Sequence, residues 1–179
     1  MSLFLATFIP GMLLLLLGVP LLANSSGFAV ALRAMPRSTT AAYVFFGAGA
    51  AWFLYALWHL SPADFGEYRV WLFGGFGVVA VMAFKSVPDF LAVRGLCTLV
   101  LMAATPLLDA AYMEYSKPQR LLMVSLVYLA LTAAIWLAAQ PWRMRDFLNW
   151  LYARPGRARG LGFGLAGYGL LLAFVSFTY

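Results

Sequence analysis

The sequence predicts an all-α fold, a polytopic integral membrane bundle of about six transmembrane helices, and three observations support this prediction. Hydrophobic residues fill 64% of the 179 positions and charged residues only 10%, whereas soluble domains carry roughly a quarter charged residues. Apolar segments of about 20 residues, the length that crosses a bilayer, recur between short polar breaks. The basic residues fall mainly in alternate breaks. Together these features predict one transmembrane domain over residues 1–179.

Each predicted span is a run of predominantly apolar residues that ends at polar, charged or proline-containing positions. The first run has no basic segment before it, and Leu21-Leu22-Ala23 lacks the small residue expected three positions before a cleavage site, so we expect a retained membrane helix and not a cleaved signal peptide. The predicted spans lie near residues 3–23, 41–60, 70–87, 90–113, 121–139 and 161–178.

The basic residues in the breaks predict the orientation, because cytoplasmic loops are enriched in Lys and Arg. If successive breaks alternate between the two sides, only Arg69, Lys117 and Arg120 of the twelve basic residues lie on one side. The other side is therefore predicted to be cytoplasmic, and both termini non-cytoplasmic. The compact loops and the arginine bias favour a multi-pass protein of a bacterial inner membrane.

Residues 142–154 are too polar to span a bilayer and predict an amphipathic cytoplasmic segment. A helix there places Phe147, Leu148 and Leu151 on one face, the pattern of a helix that lies in the membrane interface. Topological anchoring is the simpler interpretation of its basic residues, and a dedicated lipid or partner site is the alternative. The side chains predicted to contact lipid headgroups are Arg143, Arg145, Arg154, Arg157 and Arg159.

Glycines in the last span predict a helix-packing interface. Gly160, Gly164 and Gly167, with Gly162 and Gly169 among them, leave a strip without side chains, and small residues at such spacing let helix backbones approach closely in lipid. Tight packing within the bundle is the favoured interpretation. The alternative is a homo-oligomer or an interface with a protein partner.

Few side chains could bind a substrate or couple to an ion. Asp109 is the main candidate, because it lies about one turn inside the end of the fourth span, after the Thr105-Pro106 pair, and charged residues within spans are costly unless they are paired or functional. His59, Asp64 and Glu67 are further candidates on the same predicted side of the membrane. A His with several carboxylates could relay a proton or bind a metal. An ordinary polar loop, neutralised by nearby basic residues, is the simpler interpretation.

Most other chemistry is disfavoured by the residues that are present. One His and a single Cys97 in an apolar run supply neither bis-His haem ligation nor a thiolate metal site, and no GxSxG or phosphate-binding glycine loop occurs. The sequence therefore predicts no cofactor and no metal, and it does not favour an enzyme. The scattered basic residues do not form a nucleic-acid-binding surface.

Three classes of function remain as hypotheses. A structural or accessory subunit of a membrane assembly is preferred, because short loops and glycine-rich faces suit it and no further residue is needed. The alternative is a small carrier or channel that uses Asp109. A further alternative is an enzyme that uses His59 to modify a lipid or quinone at the membrane interface.

Overall fold

The computed structural model describes residues 1–179 and is helical throughout, with no strand. The all-helical prediction is confirmed, and six of the helices are long and apolar enough to cross a membrane. The helices are α1 (Leu3–Leu22), α2 (Ser26–Ala34), α3 (Thr39–Trp58), α4 (Arg69–Ser86), α5 (Leu91–Ala111), α6 (Arg120–Ala139), α7 (Trp142–Tyr152) and α8 (Pro155–Ser176).

The two shorter helices, α2 and α7, lie in the long polar breaks. The helix predicted within residues 142–154 is present as α7, and Leu148 and Leu151 of its apolar face are buried, whereas Phe147 is exposed. The last long helix begins about six residues earlier than predicted, so Arg157 and Arg159 lie in its first turns and not in a connection. Pro155 explains the difference, because its fixed φ is suited to the first position of a helix.

The chain divides into two compact units, and the boundaries between them fall within α2, α5, α6 and α7. Unit 1 comprises Met1–Arg33, Ala103–Ala133 and Arg145–Tyr179. Unit 2 comprises Ala34–Met102 and Ala134–Met144.

The most extensive helix pair of unit 1 is formed by α1 and α8, which run antiparallel. Their backbones meet at glycines: a Cβ added to Gly18 would lie 2.6 Å from the Ala166 nitrogen, and one added to Gly162 would lie 2.7 Å from the Leu22 nitrogen. Gly169 is equally close to α1, since its added Cβ would lie 2.7 Å from the Gly11 carbonyl oxygen. No side chain larger than hydrogen fits at these positions without moving a helix.

The glycines that the sequence singled out lie elsewhere on α8. A Cβ added to Gly160, Gly164 or Gly167 would meet no atom within 4 Å, so these three glycines are not packed against another helix of unit 1. The physical reason is that the strip faces away from α1, and that Gly162 and Gly169 occupy the packed face instead. An interface with another chain remains a prediction for Gly160, Gly164 and Gly167.

The rest of the core of unit 1 joins α1 and α8 to parts of α5 and α6. Leu3 and Ala6 of α1 pack with Leu172 of α8 and with the fully buried Met123 of α6. The Tyr168 hydroxyl donates a hydrogen bond to the Leu122 carbonyl oxygen at 2.9 Å, which links α8 to α6. This core fixes the ends of the four helices relative to one another within the unit.

Unit 2 contains a second close contact between helix backbones and one loosely held helix. An added Cβ at Gly95 of α5 would collide with the backbone of Phe46 in α3, and one at Gly49 would lie 3.2 Å from the Thr98 side chain. In contrast, α4 has no buried residue and packs on α3 through aromatic pairs, among them Trp58 with Phe73. An apolar cleft of about 250 Å³ lies along these helices and is lined by Phe46, Ala50, Phe53, Leu54, Phe76, Val79, Ala80 and Thr98.

Candidate functional site at Asp109

A polar pocket of about 430 Å³ lies in unit 1, where α1 begins and where α5 and α8 end. We call it the Asp109 pocket. The charged side chains of its lining are Asp109, Glu114 and Lys117. The other lining residues are Met1, Ser2, Leu3, Phe4, Ala110, Tyr112 and Tyr179.

The end of α5 and the loop after it place the three charged groups. Helix α5 continues through Pro106 to Ala111, which brings Asp109 into the last turn. The chain then turns at Met113, whose φ of 63° is left-handed. Arg120, the first residue of α6, donates a hydrogen bond to the Ala111 carbonyl oxygen, a group that a helix end leaves unpaired. This bond closes the loop and holds Glu114 and Lys117 beside the end of α5.

The charges of the Asp109 pocket are not neutralised within unit 1. Asp109 is exposed, and Glu114 and Lys117 are half-buried. No basic side chain of the unit lies within 4 Å of either carboxylate, and the ion pair that the unit does contain joins Arg145 to Asp146. The Lys117 ammonium instead lies 5.5 Å from the centroid of the Tyr179 ring, within the range of a cation–π interaction.

Tyr179 forms one wall of the pocket and is anchored on its inner side. Its hydroxyl is buried, as is the hydroxyl of the fully buried Thr7, and neither makes a hydrogen bond of good geometry. Burial raises the pKa of Tyr179, and the nearby Thr7 hydroxyl lowers it in part. The Tyr179 ring thus faces Lys117, and its hydroxyl lies near Thr7 of α1.

His59, Asp64 and Glu67 all belong to unit 2, and none of them lines the Asp109 pocket. His59 follows the last residue of α3, and its Nδ1 lies 2.8 Å from the Tyr55 carbonyl oxygen of that helix. Asp64 accepts a hydrogen bond of 2.8 Å from the Ser61 hydroxyl, so both side chains have local partners. No three His, Cys, Asp or Glu side chains are grouped as metal ligands would be.

The basic residues predicted to meet lipid headgroups have different surroundings. Arg154 and Arg159 are exposed, whereas Arg145 is paired with Asp146 at 2.9 Å. Arg157 donates a hydrogen bond of 2.9 Å to the Trp150 carbonyl oxygen and thereby satisfies a carbonyl near the end of α7.

The remaining basic residues near α7 also have partners. Arg143 binds the Gln140 side chain at 3.0 Å in unit 2. In unit 1, the Arg33 guanidinium lies 5.0 Å from the centroid of the Tyr152 ring. Burial raises the pKa of Tyr152, and the charge of Arg33 lowers it in part. Arg154 and Arg159 are therefore the exposed basic residues in this part of unit 1 whose side chains make no hydrogen bond or ion pair within it.

Sequence reasoning identified Asp109 but not the side chains that complete its pocket. Glu114 and Lys117 lie in the same short loop as each other, and this proximity was the available signal. Phe4 and Tyr179 carry no such signal, because they reach the pocket only through the pairing of α1 with α8.

The fold defines the chain as an all-helical protein with six helices that are long and apolar enough to cross a membrane, which fits a multi-pass membrane protein. Comparison with protein-family models, with curated proteins and with solved structures finds no match.

Proposed function

We propose that this chain is a multi-pass subunit of a larger membrane assembly and that it meets its partner through the open face of α8. The observation that carries the proposal is the strip of Gly160, Gly164 and Gly167, which packs against no other helix of unit 1. Phe163 and Phe174 beside it are 74% and 75% exposed. Side chains that project beside small residues suit close helix–helix packing in a bilayer, where association depends on van der Waals contact.

The experiment is affinity purification of the tagged chain from its own membranes in a mild detergent, followed by mass spectrometry. Two differently tagged copies distinguish a second copy of this chain from another protein. We expect a stoichiometric partner that is lost in Gly164→Leu, because the added side chain keeps the two backbones apart. Gly47→Leu is the control, since Gly47 also faces open space but lies on α3 in unit 2. A chain that purifies alone, or a partner that Gly164→Leu retains, would contradict the proposal.

The proposed setting is a bacterial inner membrane with both termini on the non-cytoplasmic side. The uneven distribution of Lys and Arg among the breaks supports this orientation. A membrane-impermeant thiol reagent can test it on intact cells, because Cys97 is buried and leaves an introduced cysteine as the reactive one. Ser116→Cys is expected to react and Ser38→Cys to be protected; the reverse pattern would invert the proposed topology.

A second candidate function, binding or transport of a small solute, is favoured by the Asp109 pocket. Asp109 lies in the last turn of α5 and lines the pocket with Glu114 and Lys117. If the chain is a carrier, Asp109→Asn should abolish uptake of its solute in cells that depend on it. Unchanged uptake would exclude a coupling role for this carboxylate.

A further inference from the structure

We infer that the Asp109 pocket binds a zwitterion, a ligand with an ammonium group and an acidic group, through Asp109 on one side and Lys117 on the other. The inference rests on the second candidate function, in which this pocket is a ligand site, but it requires binding only and not transport. Such a ligand could be a phosphoethanolamine lipid headgroup or a free amino acid, because both carry the same pair of charges.

The size and position of the pocket suit a small organic molecule. Its volume of about 430 Å³ lies within the usual range of roughly 300 to 1,000 Å³ for ligand pockets and is far larger than a single ion needs. The lining is mixed: polar groups come from α5 and its loop, and apolar Leu3 and Phe4 come from α1. A ligand with a charged head and a short carbon skeleton matches this division.

The arrangement of charge determines the class of ligand. Asp109 and Glu114 are carboxylates without a basic partner in unit 1, and Lys117 is the one basic side chain in the lining. Because Lys117 interacts with the Tyr179 ring and not with a carboxylate, opposite charges line one pocket without pairing. A simple cation would leave Lys117 unpaired and a simple anion would meet two carboxylates, whereas a zwitterion provides a partner for both signs of charge.

The Tyr179 wall, which Lys117 faces, is buried on its inner side. The Tyr179 hydroxyl is buried beside that of Thr7, a residue with no exposed surface. The inner end of the Tyr179 side chain is therefore enclosed, and the centroid of its ring lies 5.5 Å from the Lys117 ammonium. The packed pair of α1 and α8 thus positions the aromatic ring that Lys117 faces.

The test is a titration of the purified full chain in maltoside micelles with three soluble probes: glycerophosphoethanolamine, alanine and ethanolamine. We expect at least one of the two zwitterions to bind at least tenfold more tightly than ethanolamine, which lacks the acidic group. Asp109→Asn and Lys117→Gln should each weaken this binding about tenfold, the effect of losing one charge-assisted hydrogen bond, and Lys117→Arg should retain it. Glu67→Gln removes an acid outside the pocket and should change nothing. Thermal unfolding of each variant checks that it is folded.

The two sources of the ligand are separated by repeating the titration in nanodiscs. If phosphatidylethanolamine in the nanodisc competes with the soluble zwitterion and phosphatidylglycerol does not, the ligand is a lipid headgroup. If neither lipid competes, it is a free solute, and both results support the inference. Equal binding of ethanolamine, binding that survives both Asp109→Asn and Lys117→Gln, or no binding of any probe or lipid would overturn it. Binding without transport would remove the carrier hypothesis and leave the zwitterion site intact.

Discussion

Both faces of α8 carry glycines, but one face is packed against α1 and the other is open. On one face, Gly162 and Gly169 lie so close to α1 that a methyl group would meet its backbone, and on the other, Gly160 and Gly164 face open space. The packed glycines are seven residues apart, about two helical turns, and Gly11 and Gly18 repeat that spacing on α1. The open glycines show the four-residue spacing that is usually associated with close packing. Glycines therefore show where a helix can approach another helix closely. Which face of α8 packs becomes clear only from the matching seven-residue spacing of the glycines on α1.

The largest loss of stability should come from a larger side chain on the face of α8 that packs against α1. Gly162→Leu would place a branched side chain against the Leu22 nitrogen and the Gly18 carbonyl oxygen, neither of which can move without displacing α1. Overpacking of a filled core typically costs about 1 to 3 kcal/mol, and a backbone contact leaves less room for relaxation, so we expect loss of the folded state in micelles. Circular dichroism and size-exclusion chromatography measure this loss. Gly164→Leu is the matched control and should remain folded; equal behaviour of the two variants would contradict the described packing.

A smaller loss of stability, also from a side chain that meets a neighbouring helix backbone, is expected in unit 2. Gly95→Ala adds one methyl group that would collide with the backbone at Phe46, whereas Gly47→Ala on α3 adds the same group to open space. The first change should lower the free energy of unfolding by about 1 to 3 kcal/mol. The second should raise it by up to about 1 kcal/mol, because alanine is the better helix former. Unfolding in mixed micelles with increasing SDS compares the two, and effects of the same sign would show that the contact between α3 and α5 is not tight.

The smallest loss of stability is expected where α8 contacts α6. Tyr168→Phe removes the hydroxyl that donates to the Leu122 carbonyl oxygen, and loss of such a hydrogen bond costs about 1 kcal/mol. Tyr128→Phe serves as the reference, since Tyr128 is 58% exposed. The same SDS titration should separate the two variants by about that amount. If Tyr168→Phe unfolds no earlier than Tyr128→Phe, the hydrogen bond contributes nothing to the pairing.

The helices could be predicted from sequence far better than their contacts. Hydropathy places α1 and α6 to within one residue at each end, because a spanning segment is defined by its own composition. The start of α8 was placed too late, since arginines in the first turns of a helix lower its hydropathy without ending the helix. The face of α8 that packs could not be predicted, because glycines occupy both faces and the choice depends on α1.

The residues of the candidate site, too, could be predicted from sequence only in part. Asp109 could be found because a carboxylate near the end of a span is conspicuous in an apolar sequence. The wall formed by Tyr179 could not be found, because it depends on the contact of α8 with α1. The grouping of His59 with acidic residues, suggested by proximity in sequence, has no metal-like geometry in the structure.

The pairing of α1 with α8 also has a consequence for biosynthesis. Helix α1 leaves the ribosome well before α8, because more than 130 residues separate Leu22 from Pro155 by sequence number. Until α8 is made, Gly11 and Gly18 have no partner and the core around Leu172 is missing one of its helices. Contacts between distant segments are slow to form, and incomplete cores are prone to wrong associations. A nascent chain of this protein therefore lacks the partner of α1 until α8 has been made, and a truncation within α8 leaves α1 as an unpaired helix that proteases and chaperones can recognise.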